Sequence, residues 1–339
     1  MTVTQADVAA RAGVAARTVS NVVNDFAYVS ADTRRRVLAA IEELGYRPNR
    51  AAQYLRTGRS GTIGVMLPEL DVGYFAEIGR LLVEEASGRG YTVLIAQTLG
   101  ERDREASVID SFAGRQPDGL VISPISIGGD DLLAHAGSVP VVLLGEHLVE
   151  SDLDHVAIDN VAATAQAVEH LVQQGRRSVA FIGHMPGGRL NMADMRVTGY
   201  RYTVERNNID FNDRLIRAVR GYHRSHGFDA VTELLYDGIH FDGLFCANDL
   251  LAIGAMRALA DHGIRVPHDV AVIGFDDLDE GRFSVPRLST ISPDKAALAR
   301  LTLDLLIARI GGEEPRNRHP GAGDFSLVVR ESSQLSAAR

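Results

Sequence analysis

Cysteine is nearly absent: Cys246 is the only one in 339 residues. No internal disulfide and no multi-cysteine metal site can therefore form. Its setting, Gly243-Leu244-Phe245-Cys246-Ala247, reads as a buried strand in which a free thiol packs as a small hydrophobe. No run is long and apolar enough to cross a membrane, and the first residues lack the basic start and hydrophobic stretch of a signal peptide. A cytoplasmic protein with no membrane partner is expected. Also missing are a nucleophile elbow, a dinucleotide-binding glycine fingerprint and the Gly-Lys-Ser/Thr end of a phosphate loop. The loop His184-Met185-Pro186-Gly187-Gly188-Arg189 is glycine-rich without that ending, and reads as a cleft-edge loop. His184, His223 and His226 lack metal-ligand spacing on a common face. No enzyme activity, cofactor or metal is expected. Low-complexity tracts and short repeats are absent as well.

Positive charge is in short supply overall, and the net charge of −9 has the wrong sign for a nucleic-acid binder. The deficit is unevenly spread. Residues 1–60 hold nine arginines against five acids, a net +4, which leaves −13 for the remainder. A basic head on an acidic body is the asymmetry expected when only the head meets phosphate.

What is present divides into three regions. Residues 4–45 read as consecutive short helices. The stretch around Arg47 to Thr62, with Pro48, Gly58, Ser60 and Gly61, reads as a connection. From Thr62 onward short apolar runs at 62–67, 91–97, 119–123, 139–144, 156–159, 178–183, 243–247 and 270–275 read as strands. Helix-period segments such as 75–88, 162–174 and 249–262 alternate with them. Such alternation specifies parallel sheets covered by helices. The strands fall into two similar sets that part near Asp159, so two doubly wound subdomains with a cleft between them are predicted. Ligands in such folds bind beyond the carboxyl ends of the strands.

In the head, Thr4 caps a helix that ends at Gly13, and Asp7 suits the positive end of its dipole. A second helix from about Ala15 to Val23 turns Val19, Val22 and Val23 inward and Ala16, Arg17, Ser20 and Asn21 outward. Ser30 caps a third, closed by Gly45, with Val37, Leu38, Ile41 and Leu44 on its apolar face. Two short helices joined by a glycine turn and packed on a third place the second in the major groove of DNA. There Arg17 pairs with guanine edges and Asn21 with adenine. Small Ala15 and Ala16 let the helix approach, and Thr4, Ser20, Ser30 and Thr33 serve phosphates. A three-helix bundle with no DNA role has the same physical signals.

The string Val14-Ala15-Ala16-Arg17-Thr18-Val19-Ser20-Asn21-Val22-Val23-Asn24, then Tyr28-Val29-Ser30 and Glu43-Leu44-Gly45-Tyr46-Arg47-Pro48-Asn49, resembles the lactose-repressor (LacI/GalR) family, nearly end to end. The resemblance implies an all-α helix-turn-helix headpiece (1–46), a hinge helix and linker (47–60), and a periplasmic-binding-protein-like sensor (61–339). In that sensor, about 61–160 and 292–322 form an N-subdomain, and about 161–291 and 323–332 a C-subdomain. It adds Thr18, Asn24, Asn49, Ala52 and Leu55 to the DNA-contacting set. Leu55 matches the family's minor-groove wedge, whose unstacking cost is offset by the bend it allows. Where relatives commonly carry Thr-Val-Ser-Arg this chain has Asn21, so the base read there should differ. The implied protein is a repressor, binding a palindromic operator as a homodimer under control of a small effector. The few residues after Glu331 are too short for a heptad tail, so a tetramer is not expected.

The resemblance also implies an effector site. An aromatic pair opening a helix is more often core; the match places Tyr74 and Phe75 at the cleft. Arg196, in an Arg-x-x-Gly-aromatic segment, would offer the effector a bidentate fork, although a lone helical arginine is usually solvated. Asn248 and Asp276 sit at strand ends where relatives bind sugar hydroxyls, and Asp159 at another. Asp276 and Asp277, adjacent on a strand, would face opposite ways and share no site. Lys295, the chain's only lysine, is expected to be solvated; in the cleft it would suit an anionic effector. A carbohydrate is the expected effector. A nucleobase is the alternative, because Gly-Tyr-Phe-Ala-Glu-Ile also resembles purine-responsive members.

Overall fold

The computed structural model describes residues 3–23, 26, 28–46, 59–145, 151–185, 192–315 and 323–334. The chain separates into two units, residues 1–60 and 61–339.

The first unit contains α1 (Gln5–Ala12), α2 (Ala16–Val23) and α3 (Ala31–Leu44). Its start signals act as the sequence predicts. The Thr4 hydroxyl accepts from the Asp7 amide, while the Asp7 carboxylate accepts the Thr4 amide at 2.8 Å, a reciprocal capping box. Those bonds hold the Asp7 carboxyl below its ordinary range. Ser30 caps α3 through the Thr33 amide. Gly13 (φ 63°) and Gly45 (φ 61°) end α1 and α3 in the left-handed conformation that glycine adopts without a Cβ penalty. Val8, Ala9, Ala12, Val19, Val22, Val37 and Ala40 form the core. Arg11 bridges to Glu43 at 2.7 Å, tying α1 to α3. Leu38 departs from expectation: it is half exposed. It follows Val37 by 100° of helical rotation and so leaves the buried stripe, which Ala40 and Ile41 complete.

The second unit holds two sheets, and its order of elements is β1 (Thr62–Leu67), α4 (Gly73–Gly88), β2 (Thr92–Gln97), α5 (Arg102–Ala113), β3 (Gly119–Ile122), α6 (Gly129–Ala136), β4 (Val141–Leu144), β5 (Asp154–Val156), α7 (Asn160–Gln173), β6 (Val179–His184), α8 (Met192–Arg206), β7 (Ile216–Ala218), α9 (Arg224–Tyr236), β8 (Gly243–Cys246), α10 (Asp249–Asp261), β9 (Ala271–Phe275), the single turn α11 (Asp279–Arg282), β10 (Ser289–Pro293), α12 (Lys295–Ile310) and β11 (Phe325–Val328). The first sheet runs β2-β1-β3-β4-β5, all parallel. The second runs β7-β6-β8-β9-β10-β11 and is parallel up to β10, where β11 pairs antiparallel. Both share the 2-1-3-4-5 winding of a doubly wound sheet.

Period-two burial explains how the first sheet is covered. Ile63, Val65 and Leu67 of β1 pack with Ile78 and Leu82 of α4 and Leu298, Leu303 and Leu306 of α12. Met66, Leu120 and Ile122 point the other way, against Ile109 and Phe112 of α5 and Leu132 of α6. Thus α12, late in the chain, returns to the first sheet. The chain crosses between the sheets at 157–159, at Asp294 and between α12 and β11. Two of these crossings touch at a parallel bridge between Ile158 and Gly323.

Candidate functional site

On α2, Arg17 is exposed and Asn21 half-buried, one turn apart on one face, opposite the buried Val19 and Val22. Neither side chain has a hydrogen-bonding or ionic partner among the described residues. Ser20 lies beside them, Thr18 is half-buried, and Ala15 and Ala16 are exposed at the helix start. Thr4, Ser30 and Thr33 are engaged in capping bonds, with the Ser30 hydroxyl donating to the Thr33 hydroxyl at 2.9 Å. Asn24, Asn49, Ala52 and Leu55 lie outside the described residues, as does most of the glycine-rich loop after Met185.

In the second unit, the carboxyl end of β1 and the start of α4 meet the carboxyl ends of β8 and β9. Val72, Leu250 and Leu278 are buried together, with Tyr74 and Phe75 packed on them. The two rings stand edge to face, 5.3 Å between centroids. Glu69, after β1, pairs with His223, ahead of α9, at 3.0 Å.

Arg196 is 1% exposed. Its Nε donates to Asn160 Oδ1 at 2.8 Å, an Nη donates to the Ala247 carbonyl, and its guanidinium lies over the Phe275 ring. Gly199, one turn on, makes this possible. A Cβ there would collide with the Val161 carbonyl, so only glycine lets α8 lie against α7, whose first residue is Asn160. At least part of the fork expected to face an effector is therefore spent inside the protein.

Asn248 and Asp159 are helix caps. Asn248 Oδ1 accepts the Leu251 amide at 2.8 Å and its Nδ2 donates to the Tyr222 carbonyl at 3.0 Å. Asp159 accepts the Ala162 amide at 2.9 Å and is exposed. It does not end a strand, because β5 stops at Val156. Asp276 and Asp277 are both buried but not in strand geometry: each follows β9 with positive φ, 102° and 50°. They part company because of that turn. Asp277 is held by Arg330 at 2.6 Å, Arg282 at 2.8 Å and Ser292 Oγ at 3.1 Å. Burial pushes its carboxyl up, but the two arginines outweigh burial and leave it below the ordinary range.

Lys295 is the main surprise. Far from solvated, it is 7% exposed. Its Nζ donates to the Asp276 carbonyl at 2.8 Å and pairs with the Glu77 carboxylate of α4. Its charge is already matched, which removes the reason to expect an anionic effector. Asp249, at the start of α10, is a site residue that sequence reasoning misses. It is fully buried, and accepts from the Leu278 amide and the Thr290 hydroxyl, each at 2.7 Å. Its adjacency to a strand end was the available signal.

A helix-turn-helix head with an outward polar face, joined to a paired α/β sensor, defines a DNA-binding transcriptional regulator. Residues 4–49 match the bacterial regulatory proteins of the lacI family, and residues 168–333 a periplasmic-binding-protein-like domain. The chain is similar to the HTH-type transcriptional repressor PurR of Haemophilus influenzae (strain PittEE), 30% identical over 96% of this chain and 97% of the relative. Among solved structures it resembles the lac repressor dimer bound to operator and the anti-inducer ONPF: TM-score 0.86, 29% identity, covering 99% of this chain and 100% of that one. It also resembles the regulator CelR in complex with cellobiose, with TM-score 0.73 and 31% identity, covering 97% and 99%. The chain belongs to the lacI family of bacterial regulatory proteins. That family consists of transcriptional regulators rather than enzymes, and among the described residues no helix is long and apolar enough to cross a membrane.

Proposed function

We propose that this regulator represses transcription as a homodimer on a palindromic operator, each protomer reading a half-site with Arg17 and Asn21, and releases or grips DNA according to a small neutral effector in the sensor cleft. The observation that carries the DNA half is the pair Arg17 and Asn21 on one face of α2, neither with a side-chain partner among the described residues. An arginine and an amide one turn apart suit guanine and adenine edges in the major groove. Dimerisation is supported by the edge strand β2 and by Val83, Ile95 and Leu99, apolar and about two-fifths exposed. Such a complex would work on DNA in the cytoplasm. Selection of binding sites from a randomised duplex library with the full chain should return a palindrome, and light scattering should give the mass of two chains. Recovery of single half-sites by a monomer would overturn the reading.

For the effector, a carbohydrate is favoured. The ring pair Tyr74–Phe75, the strand-end position of Asp276 and the neutralised Lys295 suit an uncharged polyol ring. The structural relative in complex with cellobiose fits the same chemistry. A nucleobase is the second reading, favoured by the similarity to PurR over nearly the whole chain. A thermal-shift series with mono- and disaccharides and with purine bases separates them: stabilisation by bases alone selects the second.

A further inference from the structure

We propose that Lys295 is a positioning residue of the effector cleft, fixing the backbone of Asp276–Asp277 and tying it, through Glu77, to the helix that carries Tyr74 and Phe75. That this cleft binds the effector rests on the reading above; the tie itself does not.

The backbone at 276–278 is unusual and fully accounted for. Two consecutive non-glycine residues hold positive φ, and Asp276 at 102° lies beyond the left-handed well that aspartate tolerates. Such a conformation persists only where its surroundings over-determine it. The amides are each bonded: Asp276 to the Ile291 carbonyl at 2.9 Å, Asp277 to Thr290 Oγ1 at 3.3 Å, and Leu278 to Asp249 Oδ2 at 2.7 Å. Both carbonyls turn toward one ammonium, at 2.8 Å from Asp276 and 3.4 Å from Asp277. A lysine suits this role because its compact charge takes several acceptors without a fixed plane.

The ammonium stands at a junction. Lys295 opens α12, which packs on the first sheet, and directly follows the crossing from β10 of the second. Its carbonyl partners belong to the second subdomain and its carboxylate partner, Glu77, to the first. The Asp277 carboxylate is held by Arg282 and Arg330, and the carboxylate that pairs with the lysine is Glu77. Glu77 follows Tyr74 by three residues, on the same face of α4. A shift of Asp276 relative to Tyr74 must therefore stretch this tie.

Amide hydrogen exchange on the full chain, without effector or DNA, tests this. Lys295→Met should speed exchange at 276–278 by about tenfold or more, as expected on losing a charge-assisted bond, and Lys295→Arg should recover part of that. The decisive variant is Glu77→Gln. The Glu77 carboxylate meets 276–278 through the Lys295 ammonium, so a role for Lys295 confined to holding those carbonyls predicts no change there. The tie predicts faster exchange, about threefold or more, at 276–278 with amides of β6 unchanged. If Lys295→Met fails to fold, Glu77→Gln still decides. Unchanged exchange at 276–278 in Glu77→Gln overturns the proposal. A failed ligand screen would count against the effector reading alone.

Discussion

The guanidinium carbon of Arg196 lies 3.6 Å from the centroid of the Phe275 ring. Arginine is thus clamped between an aromatic face, the Asn160 side chain and the Ala247 carbonyl. Arg196→Ala should leave those buried acceptors without their donor, at about 1–3 kcal/mol each. The urea midpoint of the sensor unit should fall accordingly. A midpoint equal to wild type would mean that Arg196 serves only the effector.

Arg17 has no hydrogen-bonding or ionic partner among the described residues, so its removal should cost the complex far more than the fold. For Arg17→Ala, the preferred operator should lose about 1–3 kcal/mol of binding, read by fluorescence anisotropy at fixed salt. Non-specific duplex should be nearly unaffected. Equal weakening on both would assign Arg17 to a phosphate.

Asn21 is a specificity position on the same face. Asn21→Arg should change the preferred base at one symmetric pair of operator positions, toward guanine. Library selection with the variant checks this, and an unchanged consensus would remove Asn21 from the reading set.

Asp249 makes stability depend on pH in an unusual direction. Burial pushes its carboxyl up from 3.8 to about 7. Between those values the folded chain keeps a proton that the unfolded chain releases, so this group's contribution falls as pH rises through the window and levels off above it. Thermal melts should show Asp249→Asn losing that decline. A variant with the same slope as wild type would place the effect on other groups.

Cys246 is completely buried, and burial raises its thiol well above the ordinary range. A thiol held protonated and out of reach is inert. A thiol-specific reagent should label the native chain only at the rate of unfolding, and at once in urea. Rapid native labelling would show that β8 opens locally.

What could be read in advance follows the range of the interactions involved. Caps at Thr4 and Ser30, the turn glycines Gly13 and Gly45, and most central strands of both sheets depend on neighbours a few residues away, and the sequence displays them. Strands β7, β10 and β11 carry no comparable local signal. β7 and β11 are short, half-exposed edge strands, and β10 reads Ser-Thr-Ile-Ser-Pro, with few of the apolar residues that mark a buried strand. The burial of Lys295 depends on carbonyls 18 and 19 residues earlier and on Glu77 in the other subdomain. No local pattern announces such a partner. Nor could the family motif around Arg196 reveal that Asn160 and Ala247 already hold it.

The return of α12 to the first sheet has a consequence for birth rather than for binding. A nascent chain has all five strands of that sheet once Val156 has emerged, yet the helix that seals one of its apolar faces ends at Ile310. At synthesis rates of roughly 5–20 residues per second, Ile63, Val65, Val121 and Val142 wait on the order of ten seconds for Leu298, Leu303 and Leu306 to cover them. The half of the sensor made first therefore stays uncovered on that face until almost all of the other half has been made, with only β11 and the residues after it still to come.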